Sequence, residues 1–436
     1  MDIRLQNRYF HLVMEHEHVL NAAASGLSAL PGTKQSFSST QAMYRFLANQ
    51  NVTLQALIEP IRETACPVLA QTSQRVALIA HDWSMLSYGG HSSKTDRFQR
   101  SHKDDLGYEL AVALLIEADQ GMPLGPMEIR LRNAHGVLTT RPSGAKAYSS
   151  RLEELIDVMD ASRDWNLNRT LVHIIDREAD SVWHYRRWHA AGHQFVVRAD
   201  DQRIVRRNGQ RQSLPEVAEA LFIEGAFVDS GKRIAYEEAS DARLMIAETT
   251  IVLDRPAKRM IDGRKMDIPG EPLTLRLVVC RVEDGEGRLL ARWLLLTNVS
   301  EIDNAQTIIQ WYYWRWRIES YYKLLKSAGQ QIEVWEQESG EAIAKRLVIA
   351  SMACLTVWVL QCDKSVGAGE FRRILIRLSG RQMKWDVEST APALLSGLEK
   401  LLAVLDLLED YDPAYLRSLL HCTLPFLPSP PPRGVV

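Results

Sequence analysis

One segment of the chain carries carboxylate, basic and phenolic side chains at spacings that suit phosphate chemistry. It runs from Trp311 to Lys326 without glycine or proline, which predicts one continuous helix. Steps of three, four and seven residues place four of its side chains on one helical face: Tyr312, Arg315, Glu319 and Lys326. Arginine and lysine suit phosphate, aromatic rings suit base stacking, and a lone glutamate suits a divalent cation. The alternative interpretation is an amphipathic helix with a solvated charged face.

The spacing of these four residues resembles a known signature. Y-x2-R-x3-E-x6-K is the signature of bacterial insertion-sequence transposases of family four, which are DDE transposases with a ribonuclease H-like catalytic core. The resemblance covers roughly residues 2 to 362 and is strongest around Asp82, around 176–180 and in 311–326. It implies that Glu319 is the third catalytic carboxylate and that two others lie upstream.

Two short apolar runs upstream each lead to an aspartate. Residues 76–80 predict a buried strand that ends at 81–83, and residues 171–175 predict a second one that ends at Asp176. A carboxylate at the carboxyl-terminal edge of a strand is well placed to hold a metal ion over the sheet. For Asp82 the alternative is a capping role without chemistry.

The order of the predicted elements supports the same three carboxylates. Strands and helices alternate as strand, strand, strand, helix, strand, helix, strand, over residues 76–80, 108–116, 127–132, 152–159, 171–175, 181–191 and 195–197. This is the ribonuclease H-like order, in which carboxylates on the first strand, the fourth strand and the last helix converge. Asp82, Asp176 and Glu319 occupy those places.

We therefore predict an α/β fold, with a ribonuclease H-like catalytic core interrupted by an inserted β-rich domain and flanked by helical N- and C-terminal regions. The expected divisions are a helical DNA-end-binding domain (1–70), the first part of the core (71–198), the inserted β-rich domain (199–300), the second part of the core with the glutamate helix (301–362) and a helical C-terminal region (363–436). The last region includes a Leu-rich helix at 394–408, a candidate oligomer seam, and a Pro-rich tail that we expect to be disordered.

The resemblance also implies a set of DNA contacts. It places four side chains on the phosphates of the transposon end, namely Tyr312, Arg315, Lys323 and Lys326. It matches Trp293 to a tryptophan that stacks on a flipped-out base, although a tryptophan that opens an apolar strand is otherwise more typical of a core. Arg198 is a further DNA-binding candidate. A basic hairpin tip at 255–265 and a basic stretch from Arg372 to Lys384 are additional phosphate candidates or solvated surfaces.

The two ends of the chain give weaker signals. Residues 4–20 predict a helix, and a second helix is predicted to begin near Gln41 with Ser38, Ser39 and Thr40 as candidate N-caps. Residues 44–49 resemble a patch in the end-binding domain of the family. The chain starts at an Asp-x-Arg-Leu patch that further helical sequence precedes in the family, so we expect either a short start or a missing first helix.

Composition narrows the class of protein. The formal net charge of −2 argues against a histone-like polycation, and five scattered cysteines without a C-x2-C pair argue against a disulfide framework or a zinc site. The start lacks the apolar core of a signal peptide, and the longest apolar run, 347–360, is shorter than the roughly 20 residues that a bilayer requires. We expect a bacterial cytoplasmic, nucleoid-associated protein without a membrane segment.

The predicted activity is cut-and-paste transposition of an insertion sequence. Three carboxylates can hold two Mg²⁺ ions about 4 Å apart, with Mn²⁺ as a substitute, for hydrolysis and strand transfer. The implied substrates are double-stranded DNA, as terminal inverted repeats and target, handled by a homodimer through a DNA-hairpin intermediate. The alternatives are a ribonuclease H-like nuclease or resolvase, and a repurposed DNA-end-binding protein without catalysis.

Overall fold

The computed structural model describes residues 1–17, 34–100, 102, 105–148, 150–236, 239–261, 264–300, 304–326, 329–381 and 389–423. Within them the helices are α1 Ile3–Glu17, α2 Lys34–Ala48, α3 Leu54–Gln71, α4 Arg151–Ala161, α5 Val182–Ala190, α6 Leu214–Ile223, α7 Ala305–Trp314, α8 Trp316–Leu325, α9 Gly340–Cys362, α10 Val366–Ser379, α11 Ala391–Asp410 and α12 Pro413–Thr423. The strands are β1 Val76–Ser87, β2 Phe98–Gln99, β3 Leu106–Glu117, β4 Pro123–Asn133, β5 Gly136–Thr139, β6 Thr170–Ile175, β7 Gln194–Arg198, β8 Ile204–Arg207, β9 Gln210–Ser213, β10 Val228–Tyr236, β11 Ala239–Leu253, β12 Ala257–Ile261, β13 Arg264–Ile268, β14 Leu273–Glu283 and β15 Leu289–Thr297. The fold is therefore mixed α/β.

A single large mixed sheet organises the described residues. Its strand order is β5-β4-β3-β1-β6-β7-β15-β14-β11-β8-β9, with β2 added to β3 and β10 added to β11. The β1–β6 and β6–β7 pairs are parallel, and the other pairs are antiparallel. Because β7 pairs with β15, the β-rich stretch predicted at 199–300 extends the same sheet. The β12–β13 hairpin forms a separate two-stranded sheet.

Helices cover both faces of the sheet, and the period-two alternation of the strands explains how. Leu78 and Ala80 of β1 and Ile174 of β6 pack in one apolar cluster with α8 and α9. Ile175 of β6 and Val197 of β7 each directly follow a residue of that cluster, so they point to the opposite face of the sheet. There they pack with α4, α5 and α6. Both faces of β1 and β6 are buried, which explains why these strands are apolar almost throughout instead of alternating.

Several predicted boundaries are wrong. The first strand does not end at 81–83 but continues to Ser87, because β3 pairs with it antiparallel along its whole length. The predicted helix 311–326 is two helices, α7 and α8, that meet at Arg315. Helix α2 begins at Lys34, so Ser38, Ser39 and Thr40 lie inside it and are not N-caps. The short strands β2 and β5 were not predicted.

The apolar run at 347–360 lies in α9. By length and composition α9 is the one described helix that could cross a membrane, but 78% of its most apolar window is buried inside the protein, as in a core helix. Two predictions lie outside the described residues: Lys384 of the basic stretch and the Pro-rich tail at 428–432.

Candidate active site at the junction of α7 and α8

Asp82 and Asp176 are neighbours because of strand register. The parallel pairing of β1 with β6 ends at His81 and Ile175, and each aspartate is the next residue. Each also fixes its carboxylate locally: Asp82 Oδ1 accepts the N–H of Trp83 at 2.8 Å, and Asp176 Oδ1 accepts the N–H of Arg177 at 2.7 Å. Asp82 is thus level with the carboxyl end of β6, although its own strand continues.

The junction between α7 and α8 brings a third carboxylate to the same place. The N–H of Arg315 bonds to the carbonyl of Tyr312 at 3.0 Å, and the N–H of Ile318 bonds to the carbonyl of Arg315 at 3.0 Å. These three-residue steps form a tight 3₁₀ turn between two α-helices. Glu319 lies one turn further on, in the first turn of α8.

The guanidinium of Arg315 joins the three carboxylates. Its Nη2 lies 2.8 Å from Glu319 Oε1 and 3.3 Å from Asp176 Oδ2, and its Nη1 lies 3.9 Å from Asp82 Oδ2. The Arg315 side chain is only 5% exposed, whereas the carboxylates are partly open to solvent. The three side chains predicted to be catalytic are therefore brought together from β1, the end of β6 and α8.

Two tyrosines support this cluster. The hydroxyl of Tyr312 donates to Asp176 Oδ1 at 3.1 Å, and the hydroxyl of Tyr322 donates to the backbone carbonyl of Asp82 at 2.8 Å. Tyr312 had been expected on DNA phosphate, and here it orients a carboxylate. Tyr322 was not predicted as a site residue, although its position three residues after Glu319 places it on the same helical side.

The environment separates the acidities of the two aspartates. Burial raises the pKa of Asp82 to about 6, against the opposing effects of the Trp83 N–H and of Arg315. Burial acts in the same direction at Asp176, but Arg315, the Arg177 N–H and the Tyr312 hydroxyl outweigh it and lower the pKa of that carboxyl. Burial acts to lower the pKa of the Arg315 guanidinium, but Tyr312 and the three carboxylates outweigh it and raise that pKa. Arg315 therefore remains protonated at neutral pH.

A cleft of about 660 Å³ lies next to Tyr312 and Arg315, the side chains that bond to the carboxylates, but its lining does not include the carboxylates themselves. Arg198 and Trp293 line it, together with residues 312–317 and 320. The Trp293 side chain is largely covered, at 5% exposure, with its ring 6.0 Å from that of Tyr312. Trp316, at 51% exposure, is the most open aromatic side chain of this wall. Trp316 was not predicted as a site residue, although the aromatic density of the segment was the available signal.

The two lysines of the predicted phosphate set do not join the cluster. Helix α8 ends at Leu325, and the backbone of Lys326 leaves helical geometry (φ −89°, ψ −135°). Its Nζ donates to the Met85 carbonyl at 2.7 Å and lies 3.5 Å from Glu333. The prediction that all four signature residues share one face is wrong for Lys326. Lys323 is exposed on α8.

The donor set suits a hard divalent cation. Carboxylate oxygens are the ligands that Mg²⁺ and Mn²⁺ prefer, and three carboxylates facing one guanidinium leave an excess of negative charge. Among the described residues, no three His, Cys, Asp or Glu side chains stand close enough to form a ready-made metal site, and these carboxylates turn toward Arg315. No protein-family model matches this chain.

Proposed function

We propose that this chain is a DDE transposase that moves an insertion sequence by cut-and-paste transposition. The observation that carries the proposal is the convergence of Asp82, Asp176 and Glu319 on one guanidinium beside the carboxyl end of β6. The Y-x2-R-x3-E-x6-K spacing of the segment that supplies Glu319 supports it independently.

In the proposed reaction, Asp82, Asp176 and Glu319 would hold Mg²⁺ or Mn²⁺, which would supply Lewis acidity to an attacking water or 3′-hydroxyl and to the leaving oxygen. Tyr312 orients the Asp176 carboxylate, and Tyr322 fixes the backbone at Asp82. Because no protein nucleophile is needed, one site can both hydrolyse a phosphodiester and transfer a strand.

The finer fold assignment is part of the same proposal. The order β1, β3, β4, α4, β6, α5, β7 fits a ribonuclease H-like core, with α8 as its last helix. The strands between β7 and α7 fit a β-rich insertion that extends the sheet of that core. In this scheme α1 to α3 form the DNA-end-binding domain.

The proposed substrate is double-stranded DNA, as terminal inverted repeats and as target. The cleft next to Tyr312 and Arg315 combines arginine and aromatic side chains, a combination that suits phosphate and extruded bases. We propose that Arg198 and Trp293 contact the transposon end there, that Lys323 and Lys326 contact phosphates nearby, and that the reaction passes through a DNA hairpin. The working form on DNA is a homodimer, in the bacterial cytoplasm at the nucleoid.

The test is loss of cleavage on removal of single carboxylates. Asp82→Asn, Asp176→Asn and Glu319→Gln keep the volume of each side chain but remove a charged ligand, so each should abolish Mg²⁺-dependent nicking of end DNA. Binding of the same DNA, measured in Ca²⁺, should stay within about threefold, since basic side chains elsewhere carry it. Nicking by Glu319→Gln at a tenth or more of the wild-type rate would contradict the assignment.

Glu178→Gln is the matched control. Glu178 follows Asp176 closely but is 64% exposed and pairs with Arg151, so its substitution should leave nicking nearly unchanged. Asp180 is unsuitable as a control because it binds Arg203, the Tyr185 hydroxyl and the Asp200 N–H, so its loss would disturb the fold. Nicking by the wild type without strand transfer would instead support a nuclease, and binding without cleavage would support a non-catalytic end-binding protein.

A further inference from the structure

Arg315 occupies the position of a cation among the three carboxylates. It ion-pairs with Glu319 and Asp176 and reaches Asp82, and its side chain is almost fully buried. A phosphate-binding arginine is expected to extend toward solvent or into the DNA cleft, whereas this guanidinium turns toward the acidic groups. Without a positive charge there, three neighbouring carboxylates would repel one another.

We propose that Arg315 stands in for the divalent cation: it holds the carboxylates together in the metal-free protein, and metal binding displaces it toward the cleft, where it engages DNA phosphate. The inference rests on the proposed function and deepens it, because it makes metal loading and phosphate binding one linked event. By linkage, any interaction that draws Arg315 out of the cluster raises the affinity for metal, and metal binding in turn promotes the contact of Arg315 with phosphate.

The surroundings of Arg315 favour its release. Its Nε is buried and has no hydrogen-bond partner among the described residues, so the guanidinium is incompletely satisfied where it lies. It belongs to the 3₁₀ turn between α7 and α8, where the backbone departs from regular α-helix. The Trp316 ring, 5.6 Å from the guanidinium carbon, lies on the wall of the cleft and offers a cation–π surface along the way out.

Competition between Arg315 and metal predicts that removal of the arginine tightens metal binding. Arg315→Gln takes away a positive charge that the ion must otherwise displace, so the Mn²⁺ affinity should rise about tenfold or more. The measurement is a titration of the full-length protein with Mn²⁺, following free Mn²⁺ by electron paramagnetic resonance, without DNA. Arg317→Gln is the control, since it makes the same charge change two residues away, where the guanidinium donates to the Gly121 carbonyl at 3.1 Å. Its effect should stay below about twofold.

A second readout separates competition from a structural role. In EDTA, Arg315→Gln should melt below the wild type, because its carboxylates lack a counter-charge, and saturating Mn²⁺ should close most of that gap. A merely structural arginine would lower the melting temperature equally with and without Mn²⁺. If Arg315→Gln does not fold at the titration temperature, Arg315→Lys decides the matter, since lysine keeps the charge but lacks the planar guanidinium fork that spans the carboxylates, and it should give intermediate tightening.

The outcomes distinguish this inference from the proposed function. Unchanged or weaker Mn²⁺ binding by the folded Arg315 variant, with a wild type that binds Mn²⁺, overturns the stand-in role alone. Absence of Mn²⁺ binding by both proteins contradicts the metal site of the proposed function. Binding by Arg315→Gln that exceeds that of the wild type supports both.

Discussion

At the residue scale, two of the signature side chains, those of Tyr312 and Arg315, contact partners other than the expected phosphates. The resemblance implies that Tyr312 and Arg315 contact DNA phosphates, and the structure shows both bonded to the acidic cluster. Spacing along a helix indicates which side chains share a face, but it does not indicate which of several partners each one chooses. That choice depends on groups far away in sequence, such as Asp176, which pairs with Tyr312 across 136 residues.

Trp293 gives a prediction in which stacking and packing can be separated. Its side chain is largely covered but lies on the cleft wall, so Trp293→Ala removes both apolar contacts and a stacking surface. If it stacks on an extruded base, first-strand nicking should persist while hairpin formation slows by roughly 5- to 150-fold, from about 1–3 kcal/mol of lost stacking. Time courses of the nick, hairpin and transfer products measure this.

Trp293→Phe serves as the comparison, because it keeps an aromatic ring and most of the apolar volume. It should recover most of the hairpin rate. Equal slowing of all three steps by Trp293→Ala, together with a lowered melting temperature, would show that Trp293 belongs only to the core.

At the element scale, the long apolar strands and the helices between them were predictable from periodicity. The apolar run that contains Leu78 and Ala80 predicts a buried strand, so the existence of β1 could be predicted. Its extension to Ser87 could not, because it depends on pairing with β3, which local sequence does not reveal. The break at Arg315 was equally invisible, since all residues from Trp311 to Leu325 tolerate a helix. The break falls at the residue whose guanidinium contacts all three carboxylates, so it coincides with tertiary contacts that local propensity does not encode.

A substitution at Gly121 tests how tightly the α7–α8 junction packs against the turn that contains this glycine. It has φ +70°, and a Cβ there would lie 2.4 Å from atoms of the Trp314 ring. Gly121→Ala should therefore displace the junction and cost about 1–3 kcal/mol of overpacking on top of the backbone strain. Gly144→Ala isolates the strain alone, because Gly144 has φ +75° with nothing within 4 Å. Urea unfolding of both variants measures the difference, and equal losses would show that the junction adapts freely.

Helix α1 is expected to lose its anchorage in acid. His16 donates from Nδ1 to the Leu12 carbonyl at 2.7 Å, so its Nε2 is the neutral acceptor of the Arg346 guanidinium at 3.3 Å. Burial, together with the charge of Arg346, lowers the pKa of His16 to about 3. Because the folded pKa lies below the unfolded value, the stabilisation is complete above about pH 6.5 and is lost as pH falls from there toward 3, at about 1.4 kcal/mol per unit.

His16→Gln removes this titration while keeping a polar side chain of similar reach. Its free energy of unfolding should fall less steeply than that of the wild type between pH 6.5 and 4.5, even if it is lower at pH 7. Comparison of the two slopes removes the contributions of groups that titrate in both proteins, such as Asp82, whose raised pKa changes stability in the opposite direction. Parallel slopes would indicate that His16 is accessible to protons in the folded protein.

At the scale of the whole molecule, the C-terminal helices carry apolar side chains that the described chain leaves about half exposed. Leu405 is 49% exposed and Leu408 39% exposed on α11, with Tyr415 and Leu419 exposed on α12. We expect a second copy of the chain to cover them on DNA. Leu405→Glu with Leu408→Glu should keep the protein at one chain per DNA end, whereas the wild type should join two ends.

Sedimentation velocity with DNA bearing the inverted repeats that flank the coding region provides the measurement. Val366→Glu, at a fully exposed position on α10, adds one of the two negative charges of the double variant elsewhere and should not change assembly. Unaltered pairing of ends by the double variant would place the dimer contact on another surface.

The seam between β7 and β15 has a consequence for synthesis of the chain on the ribosome. The hydroxyl of Thr297 bonds to the Phe195 carbonyl, 102 residues earlier, and only three residue pairs join the two strands. At about 5–20 residues per second, the edge of β7 waits roughly 5–20 s for its partner. During that interval its valines present unpaired backbone groups beside an apolar surface, the condition in which strands join wrong neighbours. A pause in translation between β7 and β15 would therefore lower the soluble yield more than an equal pause after α9.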